Sequence, residues 1–332
     1  MRFAFVCVAA CVIGLAISSQ ARAYNLFGPY PWGTEGKIYY EKWGDIFSVG
    51  VPGGTITWSF IPDGTPIDPS FTDANFSGTS SLTNIMNSLG YNDALAAIQR
   101  AFDKWSAVSN ISFQQVSDSG VAFNSPSAVT PNTGQIRIGA YAINGSVGAV
   151  GWSGWPFGDT LSGDILLNSS NLFQIHQGNE GDPVRINGTY YNDLEGLVVH
   201  EIGHTMGIAH TNICSVMSGN PACYELLNRE LDPDDIAAAQ FLYGPSPSAD
   251  FDQDNDVDGR DFLEWQRGNS NTSQSPEDLA LWQAQYGDGL LGAIVAVPEP
   301  ASATGVLSVF ALSARRIRRP SRTGQSSSAP GR

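Results

Sequence analysis

Three stretches of the chain carry apolar residues at the three- and four-residue spacing of an amphipathic helix. The first runs from Asn92 to Trp105, with Asn92 or Asp93 as its expected N-cap. The second follows Asp193, and the third begins at Asp232. The apolar face of the second helix consists of Leu194, Leu197, Val198 and Ile202. The pattern therefore predicts three helices.

Shorter stretches rich in β-branched residues predict strands. They cover residues 54–60, 111–113, 136–138 and 163–168. Pro62-Asp63-Gly64 ends the first of them as a turn. The Ser-, Thr- and Asn-rich residues 65–90 predict a long loop or insertion.

The N-terminus predicts a secretory signal. Arg2 precedes an apolar run from Phe3 to Ile17, and Ala21-Arg22-Ala23 offers a cleavage site between small residues. A buried helix is the alternative. Removal of residues 1–23 and export would leave Cys214 and Cys223 as a pair in an oxidising compartment, where we expect a disulfide.

The charge balance argues against one class of partner. The chain has 32 acidic and 17 basic residues, for a formal net charge of -15. A surface of this sign repels phosphate backbones, so nucleic acid is excluded as the expected partner.

The histidines carry the strongest chemical signal. His200 and His204 are four residues apart, so they lie on one helix face and can share a zinc ion. Gly207 would end that helix in a left-handed turn and return the chain, so that His210 reaches the metal. Three imidazoles leave a fourth position for water, as in catalytic zinc sites. Glu201 adjoins this position and is the expected general base.

Chance clustering of histidines on a solvated or core helix is the alternative to a zinc site. The chain has four histidines, and three of them fall within this eleven-residue segment, which argues against chance. The fourth, His176, lies in a polar loop and is predicted to be a surface residue. A cysteine thiolate on the zinc is disfavoured because the histidines already fill the protein's share of the site.

The segment 200–210 resembles the HExxHxxGxxH signature of the metzincin metallopeptidases. The segment Ser215-Val-Met217-Ser is similar to the methionine turn of that group. Residues 97–113 and 231–244 resemble the first helix with its following strand, and the last helix, of the matrixin branch. The resemblance covers roughly residues 53–244.

The resemblance implies an α+β fold with a twisted, mixed five-stranded sheet and three helices. It also implies a zinc-dependent endopeptidase whose peptide substrate binds as an added strand along an edge strand, expected within residues 150–168. Leu166 stands where matrixins often carry a histidine for a second, structural zinc, so one zinc is expected. Cys214 and Cys223 bracket the methionine turn, and the usual Tyr-Pro does not follow it, which leaves the shape of the S1′ pocket open.

Residues 250–261 fit a twelve-residue calcium loop. Positions 1, 3, 5, 9 and 12 of the loop are Asp250, Asp252, Asp254, Asp258 and Asp261. Asp256 at position 7 would use its backbone carbonyl. Asn255 replaces the usual glycine at position 6, which asparagine tolerates because it visits the left-handed region. Val257 is expected to point into a core, and an acidic disordered linker is the alternative.

A short repeat follows the acidic loop. Asp261-Phe-Leu-Glu-Trp-Gln recurs as Asp278-Leu-Ala-Leu-Trp-Gln, and this paired layout resembles a dockerin module. No ligand-rich loop precedes Asp278, so one calcium is expected and the case for a cohesin partner is weakened.

The C-terminus resembles a PEP-CTERM sorting tail. Pro298-Glu299-Pro300 is followed by the apolar residues 301–314 and the basic residues 315–319. The resemblance implies transient membrane anchoring and cleavage near Pro298. A basic disordered tail is the alternative.

Six segments are predicted along the chain. They are the signal peptide (1–23), an N-terminal segment (24–52), the matrixin-like catalytic domain (53–244), a linker (245–249), the dockerin-like calcium module (250–287) and the sorting tail (288–332). The predicted protein is a secreted or envelope-anchored zinc metalloendopeptidase. A zinc hydrolase of a non-peptide substrate, and a surface scaffold with a vestigial protease domain, are the alternatives.

Overall fold

The computed structural model describes residues 24–125, 133–154 and 161–288. Within these ranges the helices are Leu82–Leu89 (α1), Tyr91–Val108 (α2), Leu194–Thr205 (α3), Pro233–Tyr243 (α4), Gly259–Arg267 (α5) and Pro276–Gln285 (α6). The first strands are Asn25–Leu26 (β1), Tyr30–Trp32 (β2), Lys37–Tyr39 (β3), Gly54–Phe60 (β4), Phe76–Ser77 (β5), Ile111–Gln115 (β6) and Ile136–Ile143 (β7). The later strands are Ala149–Gly151 (β8), Ile165–Asn168 (β9), Phe173–Gln174 (β10), Arg185–Ile186 (β11), Thr189–Tyr190 (β12), Asn192–Asp193 (β13) and Ile208–Ala209 (β14).

The chain divides into two compact units between Pro247 and Ser248. This boundary falls inside the predicted linker 245–249. The sequence analysis predicts the N-terminal segment 24–52 as separate from the catalytic domain, but in the structure this segment belongs to the first unit. The predicted signal peptide and almost all of the predicted sorting tail lie outside the described residues.

A mixed sheet forms the frame of the first unit. Its strand order is β6-β4-β7-β9-β8, in which only the edge strand β8 runs antiparallel to its neighbour. The short strand β5 pairs antiparallel with the end of β7, so within the described residues the sheet has six strands, one more than the five that the matrixin resemblance implies. The mixed α+β class is therefore confirmed.

The two long helices of the first unit pack on each other beside the sheet. The buried face of α2 consists of Ala94, Ala97, Ile98, Ala101, Phe102 and Trp105. Phe102 stacks on Trp58 of β4 with ring centroids 4.8 Å apart. The Trp105 Nε1–H donates to the backbone carbonyl of Val199 at 2.9 Å, and this buried hydrogen bond links α2 to α3.

Three details of the sequence interpretation are wrong. Residues 65–90 are not a continuous loop, because they contain β5 and the helix α1. With α1, the described part of the first unit has four helices instead of the three that the pattern and the resemblance predict. The apolar face of α1 is only Leu82, Ile85 and Met86, and it is hidden in the sequence by polar neighbours. The N-cap of α2 is Gly90 instead of Asn92 or Asp93, because Gly90 has a φ of 86° and joins α1 directly to α2.

The second unit consists of α5, α6 and the acidic loop before them. Asp261 and Asp278 occupy the third position of their helices. The Trp265 Nε1–H donates to the carbonyl of Ser275, the N-cap of α6, at 2.9 Å. The Trp282 Nε1–H donates to the carbonyl of Asp258, the N-cap of α5, at 2.7 Å. The sequence repeat therefore folds into two helices that reciprocally brace each other's first turn.

None of the helices in the described ranges combines the length and the apolar character that a membrane span requires.

Candidate active site

Helix α3 and the turn after it position the three histidines. The Asp193 carboxylate caps α3 by accepting from the Gly196 amide at 2.8 Å, as the sequence predicts. The helix ends at Thr205, and Gly207 follows with a φ of 98°. A side chain at Gly207 would also meet the carbonyl oxygen of Glu41, because a Cβ there would lie 2.3 Å from it. Glycine is therefore required where the chain turns towards His210.

The three rings converge on one point. The Nε2 atom of His210 lies 3.1 Å from Nε2 of His200 and 3.1 Å from Nε2 of His204. A tetrahedral zinc with Zn–N bonds of about 2.0–2.1 Å would separate its ligand atoms by about 3.3 Å. The geometry and the chemistry of this donor set therefore fit one zinc ion.

Backbone carbonyls orient two of the rings. Nδ1 of His200 lies 2.6 Å from the Val216 carbonyl oxygen, and Nδ1 of His204 lies 2.8 Å from that of Ile208. A protonated Nδ1 donates to each carbonyl, which leaves the lone pair of Nε2 facing the other rings. Burial lowers the pKa of His200 to about 4 and that of His204 to about 3. The rings are thus neutral at neutral pH, the form that binds metals.

Glu201 is buried directly beside this cluster. Burial raises the pKa of its carboxyl to about 8, against a backbone hydrogen bond from Gly151 that lowers it. Gly151 ends the edge strand β8, and a Cβ there would lie 3.0 Å from Oε2 of Glu201 and 2.8 Å from its carbonyl oxygen. Only a glycine allows the edge strand to approach the carboxylate this closely.

Met217 lies beneath the histidine helix. Its Sδ is so close to Gly203 that a Cβ at that glycine would be 2.2 Å away. Asp235, the third residue of α4, holds the methionine turn from below. Its buried carboxylate accepts from Ser215 Oγ at 3.1 Å and from the amides of Val216 and Met217 at 3.1 and 3.3 Å.

Asp235 is a supporting residue that the sequence interpretation missed. Its position three residues after Asp232 predicts a capping box, which is present. The sequence spacing does not predict its second role, which is to hold the turn whose Val216 carbonyl contacts the His200 ring.

Cys214 and Cys223 form a disulfide with their Cα atoms 5.5 Å apart, so the predicted pairing is confirmed. The disulfide closes the loop that contains Met217. Cys223 is buried and lines the cavity in front of the histidines. The bond therefore links the methionine turn to the cavity wall.

The cavity has a volume of about 850 Å³ and contains the three histidines and Glu201. The whole of β8 forms one side of it. Leu197, Tyr190 and Tyr224 line the part near the start of α3, and Asn25 and Phe27 line the part near His204 and His210. Leu197 is only partly buried for this reason, although the helical pattern assigns it to the core face.

An ion pair anchors the start of α3. Arg229 Nε donates to Asp193 Oδ2 at 2.8 Å, and its Nη2 donates to Asp193 Oδ1 at 2.5 Å. The same Nη2 donates to the carbonyl of His176 at 2.5 Å. The His176 ring belongs to none of the groups of potential metal ligands among the described residues, and it accepts instead from the Gly178 amide.

The acidic loop of the second unit brings its six carboxylates into two groups. One is Asp250, Asp252 and Asp254, and the other is Asp256, Asp258 and Asp261. Asn255 has a φ of 72° and Val257 is buried, in keeping with the expected roles of loop positions 6 and 8. Among the described residues, the Oδ1 atom of Asp256 is buried without a hydrogen-bond partner, whereas a calcium loop uses the backbone carbonyl at this position. Arg260 pairs with Asp254 and competes for one of these carboxylates.

Comparisons with known proteins agree with this architecture. A sequence profile described as Matrixin matches residues 74–244, just over half of the chain. Metalloendoproteinase 1-MMP of Arabidopsis thaliana is 27% identical over 182 residues, which cover 52% of this chain and 44% of the plant protein. Probable matrix metalloproteinase 095L of Invertebrate iridescent virus 3 is 28% identical over 51% of this chain and 43% of its own length.

Karilysin of Tannerella forsythia is 29% identical over 158 residues, 45% of this chain and 28% of its own length. The matched region is thus less than half of each of these three relatives. The profile match covers the sheet from β5 onwards, α3 with its histidines, and α4. The chain belongs to the matrixin family.

Proposed function

We propose that this protein is a zinc-dependent endopeptidase that hydrolyses peptide bonds at the His200, His204 and His210 cluster. The convergence of the three Nε2 atoms beside the buried carboxylate of Glu201 carries the proposal. Membership of the matrixin family supports a metallopeptidase with a protein or peptide substrate. Among the described residues β8 is an edge strand, which supports a polypeptide substrate because an extended chain can add to such an edge by backbone hydrogen bonds.

Each group has a defined task in the proposed reaction. A bound zinc ion would supply Lewis acidity and lower the pKa of a water molecule in the cleft to about 7. Glu201 accepts a proton from the attacking water and returns a proton to the leaving amine as the C–N bond breaks. Burial raises the pKa of the Glu201 carboxyl, and a neighbouring cation would shift the carboxyl towards the carboxylate form that a base requires.

Hydrolysis of casein or gelatin, with identification of the new termini by mass spectrometry, tests the proposal. We expect peptide-bond cleavage that a chelator abolishes and zinc restores. A zinc-loaded protein that cleaves only non-peptide esters or amides would favour the alternative hydrolase. A protein that binds no zinc and cleaves nothing would favour a vestigial domain.

We also propose that the acidic loop 250–261 binds one calcium ion. The carboxylates of Asp250, Asp252 and Asp254, which offer oxygens within 4.8 Å of one another, and the left-handed Asn255 support this assignment. Calcium titration followed by backbone amide exchange is the test. We expect residues 250–287 to become protected while the first unit stays unchanged.

Export and sorting complete the proposal and rest on the sequence patterns alone. Residues 1–23 act as a cleaved signal, and residues 298–319 act as a transient membrane anchor that is removed near Pro298-Glu299-Pro300. The intact mass of the protein recovered from its native host tests both. Arg332 still attached to a freely soluble extracellular protein would contradict the sorting assignment.

A further inference from the structure

The turn from His204 to His210 is held by groups from distant parts of the chain. The carbonyl of Thr205 accepts from the Gly154 amide at 2.8 Å. The carbonyl of Met206 accepts from the Tyr243 hydroxyl at 2.7 Å. These two partners fix the beginning of the turn, next to the end of helix α3.

The N-terminal segment fixes the rest of the turn. The Phe27 amide donates to the carbonyl of Gly207 at 2.9 Å. Strand β1 then pairs with β14, so that Leu26 lies opposite Ile208 and Asn25 lies opposite Ala209. The segment therefore follows the turn residue by residue towards the third histidine.

Asn25 reaches the third histidine itself. Its Nδ2 donates to the backbone carbonyl of His210 at 2.7 Å, across 185 residues of sequence. Phe27 lies on the other side of the turn, with its ring 5.8 Å from the ring of His204. Both residues line the cavity that contains the histidines.

His210 needs such support more than the other two histidines do. The backbone of His200 and His204 is fixed by α3, whereas His210 lies beyond the helix and is exposed. A ligand on a free turn would have to be ordered when the metal binds, and that ordering reduces affinity.

We infer that Asn25 is a positioning residue for the zinc ligand His210, and that β1 is a structural part of the metal site. The inference rests on the proposed zinc site. The amide of Asn25 holds the His210 backbone so that its Nε2 meets those of His200 and His204 before the metal arrives. The loss of such supporting contacts typically lowers metal affinity about 10- to 100-fold.

Zinc affinity, measured by competition with a chromophoric chelator and without substrate, tests this inference. Asn25→Ala removes the donor, and Asn25→Asp keeps the size but can only accept. We expect both to weaken zinc binding about 10-fold, the low end of the range for supporting residues. Asn25→Gln retains an amide donor and should recover most of the lost affinity. Thermal unfolding of the metal-free variants should match the wild type, because Asn25 is exposed.

Asn144→Ala is the matched control. Asn144 is also exposed, and its Nδ2 donates to a backbone carbonyl, that of Ala74. Its zinc affinity should stay within about twofold of the wild type, as for an ordinary surface substitution. Wild-type affinity in both Asn25→Ala and Asn25→Asp would overturn the inference, and so would an Asn25→Gln variant as weak as Asn25→Ala. Failure of the wild type to bind zinc would instead refute the proposed function, so the two failures are distinguishable.

Discussion

The two candidate metal sites of this chain are built in opposite ways. The histidine cluster draws much of its support from distant residues, since Val216 contacts His200 across 16 residues and Asn25 contacts His210 across 185. The acidic loop draws its support from itself. Asp261 accepts from the amides of Phe251 and Asp252, and Asp250 accepts from that of Asp254.

This difference determines what each site needs in order to form. Burial lowers the pKa of all three histidines, and contacts from the packed fold hold their rings together. The negatively charged carboxylates of the acidic loop repel one another when no cation is bound. Burial and the neighbouring Asp254 raise the pKa of both Asp252 and Asp256. The first site is therefore sensitive to distant packing, and the second is sensitive to its own charges and to calcium.

The largest effect is expected from removal of a histidine ligand. His204→Ala leaves two ligands for zinc and should lower zinc affinity by more than about 100-fold, beyond the loss caused by supporting residues. His176→Ala is the matched control, because it removes the same side chain outside the cluster. Zinc content after dialysis measures both. Equal zinc content in the two variants would show that the cluster is not the metal site.

A smaller effect is expected from a change in packing beneath the histidines. A Cβ in Gly203→Ala would lie 2.2 Å from Met217 Sδ and 3.0 Å from a ring carbon of Trp105, in a fully buried layer. We expect the free energy of unfolding of the first unit to fall by about 1–3 kcal/mol. Denaturant unfolding of the first unit in Gly203→Ala and in the wild type is the measurement. Equal free energies of unfolding would show that the packing beneath the histidines tolerates the added methyl group.

The smallest effect is expected in the acidic loop. Asp261→Asn removes the charge at loop position 12 and should weaken calcium binding at least about 10-fold, without any change in zinc content. Asp278→Asn is the matched control, since Asp278 occupies the same helix position and accepts an amide hydrogen bond from Thr272. Calorimetric titration of both variants with calcium provides the measurement. A similar loss in the two variants would mean that the carboxylates act only as helix caps.

The sequence pattern predicted the parts of the molecule whose signals are local. Four such features are present in the structure: the cap at Asp193, the left-handed Gly207, the start of α4 at Pro233 and the disulfide Cys214–Cys223. Each of them depends on residues within a few positions of one another. The family resemblance implies the α+β class and the mixed sheet, but not its sixth strand, β5.

The parts that the sequence could not predict depend on distant contacts. No spacing connects Asn25 with His210, or Asp235 with the turn at Met217. Residues 24–52 show no clear hydrophobic period because they form short strands and turns within the first unit instead of a continuous helix or strand. Helix α1 was missed because one turn of apolar residues within a polar stretch is too short a signal.

The Glu201→Gln variant tests the central claim most directly. The substitution preserves the size of the side chain and removes the base, while the three histidines stay intact. One zinc per chain should therefore remain bound, and kcat for peptide cleavage should fall about 10²- to 10⁴-fold. Zinc content and kcat measured on the same preparation give both values. A variant that retains its zinc and cleaves peptides at nearly the wild-type rate would contradict the proposed role of Glu201.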